Sequence, residues 1–283
     1  MNHASKLVAI AVLATLGARA PDALAQTAPA AANDDPDAAP DDSPSGGADA
    51  DQLVQVIQAA ALTGNADGAR AISRLLVNGI PPRAAAAGLD ALGVLGRAEG
   101  AQAVLRFLEH RRASLRRHAV AAAQAIHTPE LVAALAAKLG DSDQRVRVEA
   151  ATALSEVGGA REVAVAFTAF ERDVDAMQGA TGSPYAHELA KLIARAGTAD
   201  HVTRLLTFLR RAPFATMSDA LTLAVRRRDI NDQLKVRIVN DVGNLATSGV
   251  RGFLTAIADA PRDFGQAASR AARTAADRIS ASE

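Results

Sequence analysis

From Gln52 to the end, apolar and polar positions alternate with the 3.6-residue period of amphipathic helices, in stretches of about 12 residues divided by short breaks. In the stretch from Arg145 to Val157, Ala150, Leu154 and Val157 fall at three- and four-residue spacing and share one face. Arg147, Glu149, Thr152 and Glu156 fall on the opposite face. Local signals mark the helix ends. Thr128-Pro129 and Ser183-Pro184 each place a capping hydroxyl before a proline suited to the first helical position. Asp141-Ser142-Asp143 precedes a helix whose unpaired N–H groups a carboxylate can accept from. Gly140, Gly158 and Gly197 fall where the periodic stretches stop.

These stretches resemble one another. Gly64-Asn-Ala-Asp-Gly-Ala-Arg-Ala-Ile72 reappears as Gly96-Arg-Ala-Glu-Gly-Ala-Gln-Ala-Val104, and Leu115-Arg-Arg-His-Ala-Val120 as Val146-Arg-Val-Glu-Ala-Ala151. Leu92 and Gly96 recur as Leu154 and Gly158, and Glu188-Leu-Ala-Lys-Leu-Ile193 continues the series. Gly197-Thr-Ala-Asp-His-Val202 repeats Gly158-Gly-Ala-Arg-Glu-Val163 at a longer interval, which places an inserted loop at Asp173 to Gly182. A period near 31 residues is that of a helix pair which cannot bury its apolar face alone and must stack on its neighbours.

The stretch Pro129-Glu-Leu-Val-Ala-Ala-Leu-Ala-Ala-Lys-Leu-Gly-Asp-Ser-Asp-Gln-Arg-Val-Arg-Val-Glu-Ala-Ala-Thr-Ala-Leu154 resembles the HEAT family, in the short form found in phycobilisome-lyase-type HEAT-like repeats. The resemblance covers about residues 64–210, and Val236 to Ile279 more weakly; residues 213–247 depart from it, and the pattern does not assign their two helices to a layer. It implies an all-α protein, an α-solenoid wound as a right-handed superhelix of about 13 helices. Composition agrees. Alanine, the best helix former, dominates, and aromatics are 3% of residues, so the core is built from small aliphatic side chains that let helices approach closely.

The N-terminus differs. Lys6 precedes the apolar run Leu7 to Ala18, and Ala23-Leu24-Ala25 is a small-x-small cleavage pattern, so residues 1–25 read as a secretory signal cut before Gln26. Arg19 closes the apolar run too early for a spanning helix, which excludes a stable membrane anchor after cleavage. Residues 26–51 are Ala, Pro, Asp, Ser and Gly with seven Asp, and read as an acidic disordered linker before a solenoid over 52–283. The body from Leu53 holds 29 basic against 23 acidic residues. The chain is expected to be exported, periplasmic or secreted. With no cysteine it carries neither disulfides nor thiolate metal sites.

Candidate chemistry is sparse. The HEAT family includes a di-iron hydroxylase with repeated His-Glu ligand pairs. Here the pair occurs once, at His187-Glu188, and reads as a solvent-facing helical pair. Basic clusters at Arg111-Arg112, Arg116-Arg117, Arg210-Arg211 and Arg226-Arg227-Arg228 are not interleaved with aromatics, and Phe107, Phe208 and Phe214 sit at apolar positions, so nucleic-acid binding is not expected. There is no Walker loop, Gly-x-Gly-x-x-Gly or nucleophile elbow. The reading is a non-catalytic scaffold without cofactor or metal, holding a protein or peptide on its concave face. A metalloenzyme or lyase-like relative is the alternative, and a structural cell-envelope component a second. The resemblance puts the second helix of each pair on the concave side. Arg116, His118, Arg147, Glu149, Thr152, Glu188, Lys191 and Arg195 are then the candidate partner-binding residues. Arg116 would lie beside Arg147, and Glu149 beside Glu188, as exposed like charges that a partner relieves.

Overall fold

The computed structural model describes residues 44–177, 182–245, 247 and 249–280. The expected signal peptide and most of the expected acidic linker lie outside the described residues. The described chain is all helical: α1 (Pro44–Leu62), α2 (Ala66–Val77), α3 (Pro82–Leu95), α4 (Ala101–Leu108), α5 (Ala113–Ile126), α6 (Pro129–Ala137), α7 (Gln144–Val157), α8 (Val163–Ala176), α9 (Pro184–Ala196), α10 (Ala199–Leu206), α11 (Phe214–Arg226), α12 (Asp232–Gly243), α13 (Val250–Asp259), α14 (Pro261–Phe264) and α15 (Gln266–Ser280). Single 3-10 turns at Ala98–Gly100 and Lys138–Gly140 tighten two junctions. That makes 15 α-helices among the described residues, against the 13 expected. One of them, α14 near the C-terminal end, is a single turn.

Helices alternate between two rows. In the front row α1, α3, α5, α7, α9 and α11 each pack on the next; in the back row α2 packs on α4, α4 on α6, and α10 on α12. The protein is therefore an all-α solenoid. The helices of 213–247 take definite places: α11 extends the front row from α9, and α12 joins α10 at the back. α15 closes the array by packing on both α12 and α13.

The small residues act where expected. Ala119, Ala123, Ala150, Ala151, Ala186 and Ala190, on three successive front helices, are fully buried. A Cβ on Gly93 of α3 would lie 3.4 Å from the Cα of Ala122 in α5, so these backbones nearly touch. One apolar cluster runs without a break from Ile57 to Ala275. Aromatics are confined to a few joints: Phe167 and Phe170 of α8 meet Phe208 edge-on, and Phe214 meets Phe253.

The caps are as read. Asp143 accepts from the N–H of Val146 at 3.0 Å, Thr128 from Leu131 at 3.4 Å and Ser183 from Ala186 at 3.2 Å. Gly158 and Gly197 end α7 and α9. A Cβ at Gly158 would come within 2.6 Å of the Leu154 carbonyl, which explains the glycine.

Two boundaries are corrected. α1 begins at Pro44, so the junction placed between 51 and 52 falls inside a helix, and Ala50 is already buried. The tail's composition hid this, because the first turns of α1 carry Gly46 and Gly47, which disfavour a helix. The inserted loop is also shorter than read: α8 continues to Ala176, because Val174 is buried and keeps Asp173 to Ala176 in the last turn.

Candidate partner-binding face

Arg116 is the chief correction. It is not on an exposed ridge but buried, with 8% of its surface exposed. Its guanidinium donates twice to Asp141, Nε to Oδ2 at 3.0 Å and Nη2 to Oδ1 at 2.7 Å. Nη1 donates to the carbonyls of His110 and Arg111, six and five residues back, at 2.9 and 3.0 Å. Arg147 repeats the second pattern at the same offsets, donating to the carbonyls of Asp141 and Ser142 at 2.8 and 3.1 Å. Both arginines therefore lock the loop that enters their own helix, α5 or α7. Asp141 lies between them, taking Arg116 on its carboxylate and Arg147 on its carbonyl. The expected like-charge contact does not form, because a carboxylate occupies the gap. Lys138 adds a third cation, 3.8 Å from Asp141 and 2.8 Å from Glu109.

The other candidates do lie along the front row, but each is engaged with a neighbouring helix or its own. His118 of α5 meets Asp90 of α3, Nδ1 to Oδ1, at 2.7 Å, and this bond raises its pKa above the ordinary histidine value against the opposing effect of burial. Glu149 accepts from Arg117 Nε at 2.7 Å. Glu188 accepts from Ser155 at 2.5 Å and from Lys191 at 2.9 Å, so Glu149 and Glu188 each have their own donor. Thr152 donates back to the Val148 carbonyl at 3.0 Å within its own helix. Arg195 reaches the end of α7, donating to the carbonyls of Ser155 at 2.9 Å and Gly158 at 2.6 Å.

Residues 101–181 match the family model for HEAT repeats. This segment is therefore similar to HEAT repeats. No curated protein matches the chain. Among solved structures, a designed armadillo repeat protein is similar at 14% identity, covering 74% of this chain and 99% of its own, with a TM-score of 0.44. A crystal structure of an engineered protein is similar at 17% identity, covering 82% of this chain and 97% of its own, with a TM-score of 0.36. The matched segment holds Arg116, His118, Arg147, Glu149 and Thr152; Glu188, Lys191 and Arg195 lie beyond it, on the next front helix.

Both within the matched segment and past it, polar pairs link successive front helices. Arg117 pairs with Glu149, Gln124 with Glu156 at 2.6 Å, Ser155 with Glu188, and His187 of α9 with Asp219 of α11 at 3.3 Å. Asp90, Arg117, Gln124 and Asp219 were not singled out from sequence. A signal existed: Arg117 and Glu149, Gln124 and Glu156, and His187 and Asp219 are each complementary pairs 32 residues apart, one repeat. His187 and Glu188 turn to different partners. No group of three or more His, Asp or Glu among the described residues is placed to hold a metal.

Between the polar pairs runs an apolar strip. Val94 at the end of α3 is 42% exposed, and Ala121 and Ala125 are exposed on α5, which packs against α3 through Gly93 and Ala122. Ala91 and Val148 on the same row are half-buried and pack against the core. Among the described residues no helix is long and apolar enough to cross a membrane.

Proposed function

We propose that the chain is an exported, non-catalytic scaffold that holds a protein or peptide along its front row. The observation that carries this reading is the strip of Val94, Ala121 and Ala125, exposed and flanked by the pairs Asp90–His118, Arg117–Glu149 and Gln124–Glu156. An apolar centre with a polar rim is the anatomy of a binding interface, and stacked repeats extend such a surface from helix to helix. Small side chains at the centre let a partner's backbone come close, and the paired charges supply register through groups already held in place. Arg116, Arg147 and Arg195 are structural in this reading, since they hold loops and a helix end.

The test is a photo-crosslinking amino acid placed at Ala121 on the front row or at exposed Glu130 on the back row, in cells producing the full chain. Ala121 should yield a discrete adduct that Glu130 does not, and Val94→Asp should abolish it. Equal labelling from both rows, or none from either, refutes the front-row assignment.

A further inference from the structure

The C-terminal end carries a group of cations that the repeat pairing does not use. Lys235, in the first turn of α12, is only 7% exposed. No ion pair or hydrogen bond among the described residues engages its ammonium, yet that atom is not sealed within protein. Lysines this deeply buried are ordinarily paired, because a desolvated charge without a partner is costly. Lys235 instead lines an open cavity of ≈ 510 Å³ with Arg226, Arg228, Arg262, Asp263 and Gly265. Four of these six residues are cationic and one is acidic.

The arginine triplet at the end of α11 divides its work. The middle member, Arg227, donates to the carbonyls of Ala194 and Gly197 and pairs with Asp229. Its neighbours turn to the cavity. Among the described residues Arg226, Arg228 and Arg262 have no carboxylate partner. Arg226 is held over the ring of buried Phe264 at 5.0 Å, which fixes its guanidinium in place. The wall behind it is also fixed. Asn231 caps α12 by accepting from Leu234 at 2.8 Å, and Gly265, at φ +92, turns the chain from α14 into α15.

We propose that this cavity binds a multiply charged oxyanion, a phosphate or diphosphate group, with Lys235 as its central ligand. Guanidinium forks match phosphate oxygens two at a time, and an ammonium adds a compact point charge between them. A bound anion would give Lys235 a direct ion-pair partner; Asp229 feels its charge only as the smallest of several causes that lower the Asp229 pKa. The cations gather around one cavity with a single lining carboxylate, Asp263, and do not form a stripe; Phe264 is buried, so it offers no stacking platform for nucleic-acid bases. The site lies at the C-terminal end, away from the apolar strip, and stands independently of the scaffold reading.

The experiment is titration of the full purified chain with sodium pyrophosphate at low chloride, by calorimetry and by thermal unfolding, alongside Lys235→Met and Arg228→Gln. Pyrophosphate should raise the wild-type Tm, and each variant should bind at least about tenfold more weakly. Without ligand, Lys235→Met should melt no lower than wild type, because it removes an unpaired buried charge without opening a cavity. Arg228 is exposed, so Arg228→Gln gives the same reading should Lys235→Met fail to fold. Vesicles of phosphatidic acid in phosphatidylcholine, against phosphatidylcholine alone, distinguish the source. Retention on the acidic vesicles assigns the site to a lipid headgroup, and pyrophosphate binding without retention to a free ligand. Absence of heat and Tm shift at millimolar pyrophosphate, or wild-type affinity in both variants, overturns the proposal.

Discussion

At the scale of single residues, Arg116 shows how a helical wheel can mislead. By spacing it belongs with the solvent arc of α5, yet the guanidinium folds back to four acceptors and buries itself. Removing one partner of a buried pair leaves the other charge uncompensated, which typically costs about 3–5 kcal/mol. Arg116→Gln should therefore lower the urea unfolding free energy by about that amount, whereas Arg117→Gln, in a pair on the same row whose side chains are 41% and 35% exposed, should change it by less than about 1 kcal/mol. A loss below 1 kcal/mol for Arg116→Gln would mean that Asp141 finds compensation in Lys138. His118 offers a pH test. Its folded pKa is raised, chiefly by the hydrogen bond with Asp90, so its contribution to stability is full below the unfolded histidine pKa and is lost as pH rises through the folded value. The stability gap between wild type and Asp90→Asn should accordingly narrow as pH rises from about 5.5 to about 8, and NMR titration of the variant should show the His118 pKa moved back down. A gap that widens with pH would reverse the assigned direction.

The secondary elements were legible in the sequence wherever a local rule governed them. Thr128, Asp143 and Ser183 announced helix starts because capping depends on three or four consecutive residues. Leu154 announced itself as core because a one-faced pattern needs only its own helix. Asp141 did not yield its role, since it sits beside a true capping residue, Asp143, and is distinguished only by an arginine one repeat away. The same limit applied to the front-row pairs, where Arg117 and not Arg116 meets Glu149. Which of two adjacent residues faces the next helix depends on the rotation between neighbours, and no single helix encodes that rotation. α1 hid its start behind Gly46 and Gly47, which disfavour a helix. Leu154 makes the element-scale prediction. It is fully buried where α7 meets its neighbours, so Leu154→Ala should cost about 2–5 kcal/mol. Hydrogen exchange should rise in α5 and α9 as well as in α7, because repeats are stable only through their neighbours. Acceleration confined to α7 would show the repeats to be uncoupled.

For the molecule as a whole, the proposed export makes a measurable demand: the mass of the native protein should correspond to a chain beginning at Gln26. A mass that retains Met1 to Ala25 removes export from the proposal and leaves the solenoid untouched. The arginines at the helix ends carry a different consequence. Arg97 donates to the Gly64 carbonyl, Arg195 to Ser155 and Gly158, and Arg227 to Ala194 and Gly197. Every one of these contacts points toward the N-terminus, from a later repeat to the one before. A ribosome delivers this chain from the N-terminus onward, so α1, α7 and α9 each emerge with unsatisfied carbonyls that only the next repeat can occupy. At these three junctions the earlier helix end is completed only when the following repeat has docked.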